Sequence, residues 1–444
     1  MSQSVPLTQM GLRQRYVAAI AFLILLGSGF YRFGMLLPEV RASLVRRNLG
    51  GGYGFSNDLY PIWMGSGELF HGRNPYAPGL TPRIETGLYG RPLDRSTPND
   101  ASVNLRAFAY PLYTIFLFAP LAPLSFPAVQ VVMSVLLPCL AAITVILWLR
   151  VLGATLSASG FATTICLTLA SYPVLEGIYA GQPGMIAIAL ISGTVTALAR
   201  ERYALAGILL PCASIKPQLI LLLALWLTLW ALSDWNRRRN FLVTFTATTA
   251  LLLASSTWVM PSWFSGWMHA LREYRQISPP PLAQFVLSRY PGIGLSLFLL
   301  ALSAALCWRK RHEPAQSEGF ALATVFLLAT TAIIFPSTIA VYDQFLLLPA
   351  ALWLYTRRHR ILSASRPLRA LALLALGTLA WQWISACALV LTHWLFPAAA
   401  HKLLLMPLRT AASLPFAFAA LLGFVVFREM KDEVRPVLEP HAQT

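Results

Sequence analysis

Charge is scarce in this chain, and acidic charge is scarcest. Asp, Glu, Lys and Arg make up 11% of 444 residues, where a soluble domain carries about a quarter. That shortage excludes an ordinary water-soluble domain. Cysteine is rare as well: Cys139, Cys166, Cys212, Cys307 and Cys387 all lie in apolar stretches with no metal-ligand spacing. They read as small buried hydrophobes, which leaves out a disulfide framework or a zinc module. The seven histidines show no metal spacing either.

What is present is apolar sequence. Hydrophobic residues reach 57%, in runs long enough to cross a ~30 Å hydrocarbon core. Only helices and closed barrels satisfy their backbone in lipid, and these runs suit helices. The expected fold is therefore an all-α integral membrane protein. The net charge of +17 could suggest a nucleic-acid partner, but the basic residues fall in short clusters between apolar runs. Those clusters are Arg150; Arg200 and Arg202; Arg237, Arg238 and Arg239; Arg309, Lys310 and Arg311; Arg357, Arg358 and Arg360; and Arg428 with Lys431. The pattern marks inward-facing loops, so no nucleic acid is expected.

Arg13 and Arg15 before the run from Tyr16 to Leu37 start the chain inside. No small-residue cleavage site follows, so this span reads as a retained anchor. One segment breaks the alternation. Residues 108–124 are apolar but short, with Pro111, Pro120 and Pro123 inside. A crossing there would put every later basic cluster outside, so the segment is expected to re-enter. About twelve crossings result, the third expected over Ser159–Leu175, with a long first outer loop over roughly residues 38–107. Asp58, Glu176, Gln182, Lys216, Tyr342, Asp343 and Gln344 then all face outward.

Polar groups at a membrane edge cost free energy unless paired or hydrated, which makes them functional candidates. Lys216 interrupts an apolar run and precedes Pro217. A hairpin tip presenting an ammonium suits a phosphate; the plainer reading is a lysine reaching for the interface or paired with Glu176. Asp58, after Ser56 and Asn57, could cap a helix starting at Leu59, but its place at the head of the first outer loop favours a general base. Glu68 would lie on the opposite face of that helix and reads as a structural charge. His71 beside Gly72 and Arg73 could touch phosphate, and more simply is a surface residue. Gln182, between Gly181 and Pro183, offers an amide that both donates and accepts, suited to a sugar or to gluing helices. Asp343 could bind a sugar hydroxyl or pair with an arginine. The loop aromatics Tyr53, Phe55, Tyr60, Trp63, Tyr76 and Tyr89 fit an interfacial belt or sugar stacking.

Taken in order, these residues carry a resemblance. Asp58, Leu59 and Tyr60; Gly72 through Tyr76; Phe108 to Pro111 followed by Ala119 to Leu124; Gly181 and Gln182; Ala206 and Gly207 leading to Lys216 and Pro217; and Tyr342 to Gln344 leading to Pro349 resemble glycosyltransferase family 87. That family comprises polyprenol-phosphate-mannose-dependent mannosyltransferases with a GT-C fold. Leu112 stands where a second proline is common, Gly184 where an asparagine is common, and Asp343 where a histidine is common.

The resemblance implies a GT-C-type helical bundle. Its catalytic module would run over residues 16–355, between a cytoplasmic stretch 1–15 and C-terminal helices 356–427 with a tail 428–444. It implies transfer of a hexose, mannose by analogy, from a polyprenyl-phosphate donor to an acceptor hydroxyl on a lipid or glycan. The carbon would be inverted, at the outer face of a bacterial plasma membrane. Asp58 would be the base, Lys216 and then Arg73 the phosphate ligands, and Gln182, Tyr342, Asp343, Tyr60 and Tyr110 the sugar or acceptor contacts. No cofactor is implied beyond the lipid-linked sugar, and nothing visible calls for a metal, though a loosely held divalent ion stays open. Two other classes compete. A transporter of lipid-linked sugars would often show repeated helices, and none is visible. A polymerase or ligase of lipid-linked glycans usually carries its large loop late in the chain.

Overall fold

The computed structural model describes residues 7–50, 55–101, 103, 106–337 and 340–432, with side chains from residue 14. Tyr53, the side chain of Arg13 and the tail beyond residue 432 lie outside the described residues. The described residues form helices, joined by one isolated bridge between Pro281 and Ser337. Six helices are long and apolar enough to cross a membrane, or seven if one bent pair counts as a single span. Four more apolar helices, Pro183–Ala199, Tyr203–Ile215, Pro217–Leu232 and Glu318–Ile334, are shorter. The long apolar helices thus fall short of the expected twelve, because several expected spans are short or broken.

The first helix, Leu7–Gly29, passes through a π-helical turn, Phe30–Leu36, into Leu37–Arg46. The wide turn rotates Tyr31 and Arg32 into the protein, where both are buried. Such turns recur at functional sites. Ser159–Leu175, expected as one span, is instead two helices, Ala158–Leu169 and Tyr172–Ala180, bent by 60°. Pro173 cannot donate a backbone hydrogen bond, so the ladder breaks there.

The core is built around Glu318–Ile334, a helix buried from Gly319 to Ile333. A helix apolar on all sides belongs in the middle of a bundle. Trp226 and Trp230 of the neighbouring helix stack their rings 5.8 and 5.3 Å from Phe320. Arg238, itself buried, caps the carbonyls of Trp230 at 2.6 Å, Arg311 at 2.8 Å and Glu313 at 3.1 Å, tying two inter-helix turns together. Trp258, Tyr290 and Trp394 project outward at 89%, 79% and 73% exposure, which is where a bilayer would cover them.

The long loop after the first helices carries three short helices, Tyr60–Phe70, Leu80–Tyr89 and Pro98–Ala101. Ion pairs clamp it: Arg91 grips both oxygens of buried Asp100 at 2.6 and 2.8 Å. Residues 108–124 hold one six-residue helix, Tyr113–Phe118, and a short 3-10 turn. At 1.5 Å per residue that helix is roughly 9 Å long, far below the ~30 Å of a hydrocarbon core. It braces the Lys216 turn instead, through Ser214, whose hydroxyl lies 3.0 Å from the Tyr113 hydroxyl.

Candidate active site

The Asp58 carboxylate is placed by two hydrogen bonds that its own backbone segment makes with a distant helix end. The Ser56 amide donates to Tyr179 O at 2.8 Å and the Asp58 amide to Ala180 O at 3.0 Å. Gly181 ends that helix at φ +64° and allows the approach, since a Cβ there would sit 2.7 Å from Ser56 Cβ. Helix Tyr60–Phe70 receives no side-chain cap, which removes the capping reading of Asp58. Its side chain, 7% exposed, points elsewhere. Arg106 pairs with one carboxylate oxygen and the Gln182 amide donates to the other. Gln182 is itself the N-cap of Pro183–Ala199, its carbonyl oxygen accepting from the Gly184 amide.

One turn along, Gly184 faces a second ion pair. Lys216 Nζ lies 3.1 and 3.4 Å from the two oxygens of Asp343 and 4.5 Å from the centre of the Tyr342 ring. Lys216 precedes a proline, which disfavours helical backbone. It sits at φ −121°, ψ 88° between a 3-10 turn and helix Pro217–Leu232. Asp343 comes from the 3-10 stretch Val341–Leu347. A Cβ on Gly184 would meet Asp343 Oδ1 at 2.8 Å and Lys216 Nζ at 3.2 Å. The missing side chain is therefore the space these two charges occupy.

Tyr110 lies within electrostatic reach of Arg106, Tyr274 and Asp343. Its backbone is fixed from both sides: Tyr76 Oη donates to Tyr110 O at 2.7 Å, and Trp267 Nε1 to Ala109 O at 3.1 Å. The segment Gly72–Tyr76 thus supports the site through Tyr76. Arg106 and Tyr274 join it without having been singled out in the sequence. Arg73 was the loop arginine singled out for the site, and Arg106, two residues before Phe108, was passed over; that nearness to Phe108 was the available cue.

Three other expectations come out differently. Arg73 donates to both oxygens of Glu68 at 2.8 and 2.9 Å and is 54% exposed, so the cation beside the carboxylate is Arg106. Glu176 pairs with Arg32 at 2.6 Å, not with Lys216. Arg32 also lies 3.5 Å from the centre of the Tyr179 ring, directly behind the Asp58 backbone contact. An arginine inside the first apolar run was the signal for it. Tyr60 packs with Trp63 and Phe126 and turns its hydroxyl toward Gly87, away from the ion pairs. His71 is a surface residue bonded to Gly67 O. Among the described residues no group of three or more His, Cys, Asp or Glu could hold a metal ion.

The family model of glycosyltransferase family 87 matches residues 108–337, a little over half of the chain. The chain belongs to glycosyltransferase family 87. No curated protein and no solved structure matches it. The matched stretch contains Tyr110, Gln182 and Lys216. In this family 87 chain, Asp58, Tyr342 and Asp343 are brought to them by the fold.

A cavity of about 590 Å³ opens on the far side of the Val341–Leu347 turn. Gln344, Ser171 and Gln382 line its polar end, and Phe345, Leu348 and Trp383 are among its apolar walls. Among the described residues, Gln344 Oε1 and Gln382 Nε2 are buried without a hydrogen-bond partner.

Proposed function

We propose that this glycosyltransferase moves a hexose, mannose by the family resemblance, from a polyprenyl-phosphate donor to an acceptor hydroxyl at the outer membrane face, with inversion. The single observation that supports this reading is that the short segment Gln182–Gly184 touches both ion pairs, Gln182 bonding the Asp58 carboxylate and Gly184 facing Lys216 and Asp343. A base and a cation on one wall are what the reaction needs. The acceptor oxygen forms a bond to the anomeric carbon as the carbon–oxygen bond to the lipid phosphate breaks. The bonding pair leaves with the phosphate, and the acceptor proton goes to Asp58. A positioned base contributes roughly 10²–10⁴-fold. Lys216 offsets the charge that grows on the leaving phosphate, in a site with little water to screen it. Gln182, Tyr342, Asp343 and Tyr110 offer the hydroxyl-binding groups around the sugar. The apolar cavity beyond Gln344 accommodates part of the donor's lipid tail. No step calls for a metal.

The test is transfer by purified protein from a panel of radiolabelled polyprenyl-phosphate sugars to membrane acceptors. Asp58→Asn should insert normally and lose at least about 10²-fold in turnover. Turnover at the wild-type rate with that variant would end the assignment of Asp58 as base.

A further inference from the structure

A carboxylate whose two oxygens are held by a guanidinium and an amide is a poor proton acceptor, because both contacts favour its ionised form. In this structure Asp58 is held in that way by Arg106 and Gln182. The base of the reaction above therefore has to lose a partner before it can act. The two cations of the site differ in how firmly they are kept. Lys216 is 8% exposed, its carboxylate partner 3%, and it also rests on the Tyr342 ring. Arg106 is 20% exposed, and its Nε is buried with no hydrogen-bond partner among the described residues. Among the described residues Arg106 thus has unused donor capacity and one ionic partner, and it has the better access to an incoming anion. A guanidinium grips phosphate through two parallel hydrogen bonds, which a lone ammonium cannot do.

The geometry points to Arg106 as a ligand of the donor phosphate that exchanges partners: phosphate draws the guanidinium off Asp58, and the carboxylate becomes a competent base only with donor in place. The inference rests on the reading of Asp58 as base and adds an order to the reaction, donor before acceptor activation. Phosphate and Asp58 then compete for one guanidinium, so removing the Asp58 charge should improve phosphate binding even as it abolishes transfer. A purely structural Arg106–Asp58 bridge would give no such gain.

The experiment measures binding of polyprenyl monophosphate to the full chain in lipid nanodiscs, with polyprenol lacking phosphate as the control. Asp58→Asn should bind the phosphate about tenfold tighter than wild type, and Arg106→Gln about tenfold weaker or worse. The double variant should bind no tighter than Arg106→Gln alone, and Arg106→Lys should fall between wild type and Arg106→Gln. All should bind the polyprenol control alike, which guards against misfolding. Asp58→Asn binding no tighter than wild type would overturn the inference. So would a double variant that keeps the full gain over Arg106→Gln. Failure of the base reading is separate: it shows as retained transfer by Asp58→Asn, whatever the binding data give.

Discussion

Gly184→Ala adds one methyl group and removes nothing, yet it should cripple the site. The new Cβ would lie 2.8 Å from Asp343 Oδ1, whereas ordinary contact begins at 3.4 Å, so the carboxylate must retreat by about 0.6 Å. The methyl crowds Lys216 Nζ at 3.2 Å as well, so both members of the ion pair must shift. A misplacement of about 1 Å can cost roughly 10²-fold in rate, so about 0.6 Å should lower kcat/KM by about 10- to 100-fold, or about 1.4–2.7 kcal/mol. Stability should change far less. Crowding costs about 1–3 kcal/mol, while alanine is about 1 kcal/mol better than glycine in a helix, and these partly offset. The assay is transfer kinetics beside a thermal melt of the same preparation. Wild-type kcat/KM in Gly184→Ala would show that the Lys216–Asp343 geometry does not matter to turnover. Gly184 and Asp343, the two positions where the resembled family commonly has asparagine and histidine, are thus neighbours in the fold.

Arg32→Ala or Glu176→Gln leaves one member of a buried pair alone, a loss of about 3–5 kcal/mol, and the melting temperature of the purified protein should fall accordingly. A melt within a degree of wild type for both would show that the pair is hydrated and structurally idle. Arg73→Ala should leave polyprenyl-phosphate affinity within about twofold of wild type, because an exposed ion pair contributes under about 1 kcal/mol and Arg73 is bonded to Glu68. A tenfold loss in a binding assay would return Arg73 to the phosphate site. The hydrogen bond from Arg73, then that from Arg83, holds the Glu68 carboxyl down to about 2, and Arg91 does the same for Asp100. With folded values depressed, these clamps stabilise the outer loop fully above about pH 4, the ordinary carboxylate range, and lose that contribution as pH falls toward 2. Pepsin nicking of the loop should therefore stay slow at pH 5 to 4 and rise below; a rise already complete by pH 4 would contradict it.

Local signals in the sequence were reliable where the cause was local. Pro183–Ala199 runs where its apolar stretch and leading proline place it. The Lys216 break follows from the proline after it. Asp58, Gln182, Lys216 and Asp343, which the alternation of basic clusters had assigned to one face, lie near one another in the fold. What stayed hidden was pairing across distance. Gln182 reaches Asp58 over 124 positions and Lys216 reaches Asp343 over 127, and no periodicity encodes which charge meets which. Arg32 stands out as a charge inside an apolar run but was not taken up, and its partner Glu176 was therefore offered to the wrong cation. The Ser159–Leu175 span failed because composition registers greasiness and not the bend at Pro173.

The carboxylate at residue 58 takes its position from the backbone of Tyr179 and Ala180 more than from the loop in which it is encoded. Replacements at exposed positions of that loop that spare Tyr76 and Arg106 can accumulate without dislodging it. Under the proposed reaction, a lineage of such chains could exchange the surface that greets the incoming alcohol while this carboxylate stays anchored to the scaffold, so that new acceptors are acquired by remodelling the rim.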